Sequence, residues 1–191
     1  MKQARTLSKA ELQRVLAVIT AGRHAQRNRI MILLSFYAGM RVKEIAALQI
    51  RDVFDANRSV KKSIQLAAEQ TKGKKGRVVV LNKKLQKELL DYYVSMGLKT
   101  KNNCLPLLLS QKSNQSFSAN SMCQLFSRIY SKAGICNASS HSGRRTFITN
   151  IAHKGVSAKV LMTLAGHQHL NTTQRYIDVN DAMLEQAVEL I

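Results

Sequence analysis

Apolar residues recur with helical spacing in the first part of the chain. Ser8 and Glu11 form the pattern of a capping box, in which each side chain bonds a free backbone N–H at the start of a helix. The apolar residues that follow share one helical face: Leu12, Val15, Leu16 and Ile19. An amphipathic helix is therefore predicted from Ser8 onward, with Gly22 at its end.

Two further helices are predicted before residue 50. The run from Asn28 to Tyr37 is almost continuously apolar, which is typical of a helix buried on most sides, and Gly39 marks its end. Residues 42–48 repeat the helical spacing over a shorter length, with Arg41 at the start. The longer of these two helices is expected to lie in the core.

A strand pattern replaces the helical one between residues 59 and 81. Two short apolar stretches, residues 63–66 and 78–81, flank a segment rich in Gly and Lys, residues 71–77. This arrangement predicts an antiparallel β-hairpin whose basic tip contains Lys72.

The rest of the chain returns to helical spacing. A short helix capped by Asn171 or Thr172 is predicted to carry Tyr176 about one turn from its start. Longer helices are predicted from Lys83 onward and over residues 121–133, 142–154, 157–165 and 182–190. The predicted class is mainly α with one small antiparallel β-sheet, in a single compact unit without internal repeats.

The charge of the chain narrows the choice of partners. Thirty Lys and Arg stand against 11 Asp and Glu, and the net charge of +19 attracts any polyanion, whether DNA, RNA or an anionic membrane. The longest apolar run, residues 30–40, is interrupted by polar residues and is too short to span a bilayer. The N-terminus lacks the apolar segment of a secretion signal. A cytoplasmic protein that binds nucleic acid and no membrane is therefore expected.

A pair of cationic side chains lies on the apolar stripe of the helix predicted at residues 142–154. His141 and Arg144 are three residues apart and share a face with Ile148 and Ile151. Burial of such a pair without partners is unfavourable, so this helix end is expected to open onto a cleft that receives an anion. A solvated helix terminus remains the alternative for these two residues taken alone.

Two more candidate residues follow a predicted helix end. Gly166 is a natural helix stop, which places His167 on the turn behind it. Tyr176 lies further along, in the predicted short helix. Taken singly, a histidine and a tyrosine at such places are explained by packing, so their meaning depends on the neighbouring motifs.

Together, these segments resemble the catalytic domain of the tyrosine recombinases, or phage integrases, over nearly the whole chain. Residues 38–48 are similar to the family's first box, whose arginine binds the scissile phosphate. Residues 141–144 resemble its His-x-x-Arg box, and residues 164–167 resemble its Leu-Gly-His box. Tyr176 stands where the family has its nucleophile, and Lys72 matches the family's hairpin lysine. The resemblance implies a catalytic set of Arg41, Lys72, His141, Arg144, His167 and Tyr176.

The resemblance also implies a function. A tyrosine recombinase or integrase is a site-specific enzyme that cleaves and rejoins DNA strands through a covalent 3′-phosphotyrosine intermediate, in integration, excision, inversion or resolution. The main alternative is a non-catalytic DNA-binding protein of the same fold, and strand relaxation of the type IB topoisomerase kind is a second. The complete catalytic set favours an enzyme, because phosphate binding alone needs no tyrosine. The segment between Gly166 and Tyr176 favours the recombinase branch.

Partners and location follow from the same resemblance. The expected partner is double-stranded DNA at the nucleoid, bound by a homo-oligomer that forms a tetramer on paired DNA sites. The predicted C-terminal helix, residues 182–191, has one apolar face, which packs either on its own domain or on a neighbouring protomer. Docking on a neighbour would make cleavage depend on assembly.

The chain departs from the family pattern in two ways. Ser142 and Gly143 stand where an apolar residue usually precedes the arginine, and Arg145 replaces a frequent histidine. The resemblance also begins at the start of the chain, so residues 1–191 are expected to form a single catalytic domain without an N-terminal core-binding domain. Such a chain is either a naturally short member, like the fimbrial-switch invertases, or an excised fragment.

The phosphate chemistry suits arginine side chains. Attack of a tyrosine oxygen on a phosphodiester adds negative charge to the non-bridging oxygens, which Arg41 and Arg144 can hold through charge-assisted hydrogen bonds. Arginine is better suited than lysine because its planar fork binds two oxygens and stays charged.

Proton transfer needs other groups. The attacking phenol has an ordinary pKa of about 10 and needs a proton acceptor or a strongly cationic site, and His141 and His167 are the candidates to supply this help. The leaving 5′ oxygen needs a proton, and Lys72 is the candidate donor. Lys74 and Lys75 lie close enough in the chain to compete with it.

Metal-dependent cleavage is the rival mechanism. A two-metal site needs several carboxylates, and the acids nearest the motifs, Glu44 and Asp178, do not form a ligand cluster. The three cysteines, Cys104, Cys123 and Cys136, match neither a paired zinc site nor a disulfide framework. No metal and no other cofactor is therefore predicted. Glu44 is expected either to orient a neighbouring arginine or lysine or to lie on a helix surface.

Overall fold

The computed structural model describes residues 4–71, 75–97, 103–111, 115–177, 184–185 and 188–189. Within this part of the chain, helices predominate and one hairpin supplies the sheet. The helices are α1 (Lys9–Thr20), α2 (Ala25–Ala38), α3 (Val42–Ala46), α4 (Ile50–Val53), α5 (Lys83–Ser95), α6 (Ala119–Lys132), α7 (Ser142–Ala152), α8 (Ala158–Ala165) and α9 (Leu170–Gln174), and the strands are β1 (Ser63–Leu66) and β2 (Arg77–Val80). The predicted class, mainly α with a small antiparallel sheet, is confirmed.

Helix α1 begins as the sequence predicted. Ser8 Oγ accepts a hydrogen bond from the Glu11 N–H at 3.1 Å, and Glu11 Oε2 accepts one from the Ser8 N–H at 2.9 Å. These reciprocal bonds satisfy two backbone donors at the helix start. The residues Leu12, Val15 and Ile19 are buried on one face, which confirms the amphipathic pattern.

Helix α2 is the central element of the fold. It packs against α1, α3, α5 and α7, and most of its residues are buried. It begins at Ala25, three residues before the predicted Asn28, because its polar first turn gives no apolar signal. It ends at Gly39, whose φ of +60° favours glycine, and a Cβ there would lie 2.4 Å from the Phe147 ring. Gly39 thereby turns the chain toward Arg41.

The hairpin differs from its prediction at the turn. Strand β1 pairs with β2 in antiparallel register, with Ser63 opposite Val80 and Leu66 opposite Arg77. Arg77 was predicted in the turn, but it is the first residue of β2, and a 3₁₀ turn at residues 68–70 follows β1. The apolar pattern placed the strand start one residue late because Arg77 is not apolar. Lys72 and Lys74 lie outside the described residues.

The later helices match their predictions closely, with one further short helix. Helices α6, α7 and α8 begin and end within two residues of the predicted bounds. Helix α4 was not predicted, since four residues are too few for a periodic signal, although Ile50 and Val53 are buried. None of the helices among the described residues is long and apolar enough to cross a membrane.

The prediction for the segment around Tyr176 was wrong in its details. Helix α9 is capped by His169, not by Asn171 or Thr172, and Tyr176 lies in the turn beyond its end. The reason is that α9 begins without a side-chain cap: His169 is extended and its side chain makes no capping hydrogen bond, so the preference for Asn or Thr at a cap does not locate this start. Most of the helix predicted at residues 182–190 lies outside the described residues.

Two apolar clusters hold the elements together. The larger cluster contains α1 to α6 and the inner face of the hairpin. A smaller one is formed by residues of α7 and α8: Ile148, Ala152, Leu161 and Ala165. Tyr176 and Ile177 pack against the smaller cluster. Helix α7 contacts both α2 and α8, so the junction between the two clusters lies along α7.

Candidate active site

The C-terminal end of helix α8 is the meeting point of three arginine side chains. The helix ends at Ala165, and its last carbonyl groups have no partner inside the helix. Successive carbonyls each accept one hydrogen bond: Leu164 from Arg77 Nη1 at 3.1 Å, Ala165 from Arg144 Nη2 at 2.6 Å and Gly166 from Arg41 Nη2 at 3.0 Å. The negative end of the helix dipole therefore faces three cations and offsets part of their mutual repulsion.

Glu44 joins two of these arginines. Its side chain is fully buried, and its Oε1 accepts hydrogen bonds from Arg41 Nη1 at 2.8 Å and from Arg77 Nε at 3.1 Å. Its Oε2 accepts from Arg77 Nη2 and from the Arg41 backbone N–H, both at 2.8 Å. Burial raises the pKa of Glu44, but hydrogen bonds and charge from Arg77, and then from Arg41, outweigh burial and leave that pKa below its ordinary value. Glu44 is therefore ionised and holds Arg41 in place.

Arg144 lies in the interior, with 7% of its surface exposed. Its Nη1 donates to the Gly39 carbonyl at 2.5 Å, so carbonyls at the ends of α2 and α8 together fix the plane of the guanidinium. Burial, followed by the charges of Arg41 and Arg77, lowers the pKa of Arg144 to about 9. The group remains protonated at neutral pH.

The close approach of α7 to α2 explains one departure from the family pattern. A Cβ on Gly143 would lie 2.7 Å from Ser35 Oγ and 3.3 Å from the Phe36 nitrogen. A larger residue therefore requires that the Ser35 side chain moves or that α7 shifts away from α2. Such a shift would also move Arg144, the next residue, away from the Gly39 carbonyl.

His141 and Arg144 have different environments although they share a helix. His141 is exposed at the N-terminal end of α7, whereas Arg144 is buried one turn later. Both line a cavity of about 260 Å³ that Tyr176 also lines. His141 therefore lies at a solvated helix terminus, which was the alternative interpretation of this pair. Arg144 is buried, so that interpretation is wrong for Arg144.

His167 and Tyr176 lie side by side. His167 follows Gly166, which is in the left-handed conformation with φ +61°, and its Nδ1 lies 2.9 Å from Thr173 Oγ1. The His167 and Tyr176 rings stack, with centroids 5.9 Å apart and planes inclined by 27°. Burial, and then the charges of Arg144, Arg41 and Arg77, lower the pKa of His167 to about 4. The imidazole is therefore neutral at neutral pH.

The ring of Tyr176 has a cation on it as well. The Arg145 guanidinium carbon lies 5.4 Å from the ring centroid, a distance at which a cation interacts with the face of the ring. Arg145 stands where the family often has a histidine. In this chain the residue at that position places a cationic group beside Tyr176.

Two cavities adjoin this cluster. One, of about 570 Å³, is lined by Arg41, Arg77, His167 and their neighbours, and the other is the 260 Å³ cavity of Arg144 and Tyr176. Thr172 lines both. The described residues that line them include several cations and no carboxylate, so both cavities suit a phosphate-bearing ligand.

The structure brings most of the predicted set together. Arg41, Arg144, His167 and Tyr176 cluster around the end of α8, and His141 lies at the edge of the same region. Lys72 lies outside the described residues. Its neighbours Thr71 and Lys75 line the cavity of Arg41 and His167.

Sequence reasoning missed the part played by Arg77. The alternation of inward- and outward-facing residues along β2 could have indicated that Arg77 faces inward. Arg77 is two residues before Val79 and four before Leu81, both of which are buried. A strand residue in that phase faces the interior, and a buried arginine needs a partner there. That partner is Glu44.

The described residues contain no group of three or more His, Cys, Asp and Glu side chains placed to hold a metal ion. The prediction of metal-independent chemistry stays a prediction.

Comparison with known proteins identifies the family. The model of the phage integrase family matches residues 5–183. The chain is 32% identical over 166 residues to tyrosine recombinase XerA of Pyrococcus horikoshii, an alignment that covers 85% of this chain and 54% of that protein. The chain thus spans about half the length of that relative.

Comparison with solved structures points to the same family. The crystal structure of XerA recombinase matches with a TM-score of 0.74 at 26% identity, over 100% of this chain and 66% of that one. The post-cleavage complex of XerH site-specific recombinase with palindromic difH substrate matches with a TM-score of 0.70 at 26% identity, over 96% of this chain and 51% of that one. The chain belongs to the phage integrase family and has the fold of a tyrosine recombinase catalytic domain, which confirms the resemblance seen in the sequence.

Proposed function

We propose that this chain is the catalytic part of a site-specific DNA recombinase, in which Tyr176 attacks a phosphodiester and forms a 3′-phosphotyrosine link. The observation that carries the proposal is that Tyr176 lines one cavity with Arg144, a fixed and buried cation. Covalent catalysis at a phosphate uses a nucleophile beside cationic groups that can stabilise the developing charge, and Tyr176 and Arg144 are placed in this way. The names of its relatives, which are tyrosine recombinases, favour this function over non-catalytic DNA binding and over strand relaxation.

Arg41 and Arg144 are proposed to hold the non-bridging oxygens of the scissile phosphate. Their carbonyl bonds at the end of α8 orient both guanidinium groups before DNA arrives, so little reorganisation accompanies the reaction. A guanidinium has five N–H donors, and the bonds to carbonyls and to Glu44 leave others for phosphate.

His167 is proposed to act beside the nucleophile as a neutral group. Because its pKa is about 4, its imidazole is neutral at neutral pH, and its N–H can donate a hydrogen bond to an oxygen of the reacting phosphate. The same low pKa makes its other nitrogen a weak acceptor for the phenolic proton of Tyr176. His141, at the edge of the cavity, is the second candidate to accept the phenolic proton of Tyr176. Lys72 is proposed as the donor to the leaving 5′ oxygen, and Thr71 and Lys75 support this role because they line the cavity of Arg41.

Assembly on DNA is a further part of the proposal. We propose that residues 1–191 act as one catalytic unit on double-stranded DNA at the nucleoid, and that four copies assemble on paired sites. The C-terminal segment, residues 182–191, is proposed to contribute to that assembly. Leu184 and Val188 support this role, since 55% and 69% of their surfaces are exposed and apolar.

The test is to trap the covalent link on nicked suicide DNA. The wild-type chain should form a protein–DNA adduct, whereas Tyr176→Phe should bind DNA with little change and form none. Tyr37→Phe is the matched control, because Tyr37 is also half-buried and also has a cation, Lys84, 5.0 Å from its ring. An adduct that persists in Tyr176→Phe excludes this tyrosine as the nucleophile, and loss of the adduct in both variants points to a folding defect.

A further inference from the structure

Protein groups hold the Arg77 side chain in place. It is 9% exposed, and its Nε and Nη2 bind the two oxygens of Glu44 while its Nη1 binds the Leu164 carbonyl. All three nitrogens therefore have protein partners, which take three of the five N–H donors. These bonds fix the guanidinium against Glu44 and the end of α8.

The position of Glu44 presents an electrostatic problem that Arg77 resolves. A buried carboxylate 2.8 Å from Arg41 compensates the charge of the arginine that is proposed to bind phosphate. Together with Arg77, however, the three groups carry one net positive charge. We propose, on the basis of the function above, that Arg77 is a positioning residue that balances Glu44, so that Arg41 keeps both its orientation and its positive charge toward the scissile phosphate.

The geometry of the pair supports this role. Arg77 and Glu44 form a two-point contact, which fixes the plane of the carboxylate. The same two oxygens accept hydrogen bonds from the side chain and from the backbone of Arg41. The orientation of Arg41 is thus set by Glu44, and that of Glu44 by Arg77.

Arg77 also acts on the neighbouring histidine. Its bond to the Leu164 carbonyl ties β2 to the end of α8, two residues before Gly166 and three before His167. After burial and the charges of Arg144 and Arg41, its charge helps to lower the pKa of His167. Loss of Arg77 must therefore change the titration of His167, which a purely structural role elsewhere in β2 does not do.

The test compares neutral replacements of one or both members of the pair. Arg77→Met should slow adduct formation at saturating DNA by roughly 10–100-fold, the range seen when a residue that orients a catalytic ligand is removed. The double variant Glu44→Gln with Arg77→Met should form the adduct about tenfold faster than Arg77→Met alone, because the unbalanced carboxylate is no longer present. The His167 pKa, followed by NMR, should rise in Arg77→Met.

Arg29 and Glu88 supply the matched control. They form a similar two-point pair, with Arg29 Nε and Nη2 at 2.6 and 2.5 Å from the Glu88 oxygens, between α2 and α5. Arg29→Met, alone and with Glu88→Gln, should leave both the adduct rate and the His167 pKa unchanged. Thermal unfolding of all variants shows whether the two pairs contribute comparably to stability.

Three outcomes would overturn the inference: a wild-type rate in folded Arg77→Met, a double variant no faster than the single one, or an unchanged His167 pKa. If Arg77→Met does not fold, Arg77→Lys takes its place. Charge balance then predicts that Arg77→Lys forms the adduct at a rate between those of the wild type and the double variant. A rate below that of the double variant contradicts charge balance. A wild-type chain that forms no adduct refutes the proposed function instead. The His167 titration then still decides whether Arg77 balances Glu44.

Discussion

The imidazole of His167 stacks on the phenol of Tyr176, with ring centroids 5.9 Å apart and planes inclined by 27°. The same imidazole contacts Thr173 Oγ1 at 2.9 Å, and Thr173 lies in α9, directly before the turn of Tyr176. The histidine thus touches the segment that carries the tyrosine at two points. A change in the charge of His167 is therefore expected to affect both the reaction and the local fold.

The pKa of about 4 for His167 predicts a specific pH dependence. An unfolded chain binds a proton at this histidine at about pH 6.5, so the unfolded state holds more protons than the folded state between about pH 6.5 and 4. The contribution of His167 to the free energy of unfolding should therefore fall as the pH falls through this window. Unfolding by denaturant at several pH values should show a steeper acid loss for the wild type than for His167→Asn, and equal slopes would contradict the lowered pKa.

Arg144→Lys should be much more damaging than a charge-preserving substitution on the surface. An ammonium group cannot keep the contacts to the Gly39 and Ala165 carbonyls and also hold a phosphate in one plane. We expect adduct formation to slow by about 100-fold or more, the effect of removing one donor that stabilises a developing charge. Arg29→Lys is the control for an arginine outside the cluster. Near-normal cleavage by Arg144→Lys would mean that Arg144 does not bind the phosphate.

Gly166→Ala should disrupt the cluster through sterics. Gly166 has φ +61°, and a Cβ there would lie 2.4 Å from Arg77 Cδ. Gly134→Ala is the control, because Gly134 has φ +65° but no atom within 4 Å of its Cβ position. The control should lose roughly 1–2 kcal/mol of unfolding free energy through backbone strain alone. Gly166→Ala should lose more and should also lose adduct formation, and an equal loss in both variants would show that Arg77 moves aside at no cost.

Strand cleavage should be independent of divalent metal ions. Arginines are proposed to neutralise the phosphate, and both cavities next to Tyr176 and His167 are lined by cations. Adduct formation on suicide DNA should proceed at the same rate with excess EDTA and with magnesium. Activity that disappears with the chelator and returns with magnesium would rule out the arginine-based mechanism.

Local patterns in the sequence were enough to predict most helices. The capping box of Ser8 and Glu11 and the stop at Gly39 are encoded by neighbouring residues, so they are readable without the fold. The start of α9 differs from its prediction because this helix has no side-chain cap, so the preference for capping residues does not locate it. Helix α4 was missed because it is shorter than two turns.

The site was predictable only as a set of motifs. The sequence pointed to Arg41, Arg144, His167 and Tyr176, because each belongs to a recognisable segment. Arg77 belongs to no such segment, and its part became visible only through its bonds to Glu44 and Leu164, which lie 33 and 87 residues away in the chain. Interactions of that range cannot be read from spacing.

The arginine bonds at the end of α8 also bear on protein synthesis. Each arginine donates to a carbonyl of residues 164–166 that lies far along the chain. The separation in sequence is 125 residues for Arg41, 87 for Arg77 and 21 for Arg144. A chain still on the ribosome has Arg41 and Arg77 outside the exit tunnel long before those carbonyls are made. The cluster can therefore assemble only when most of the domain has been translated.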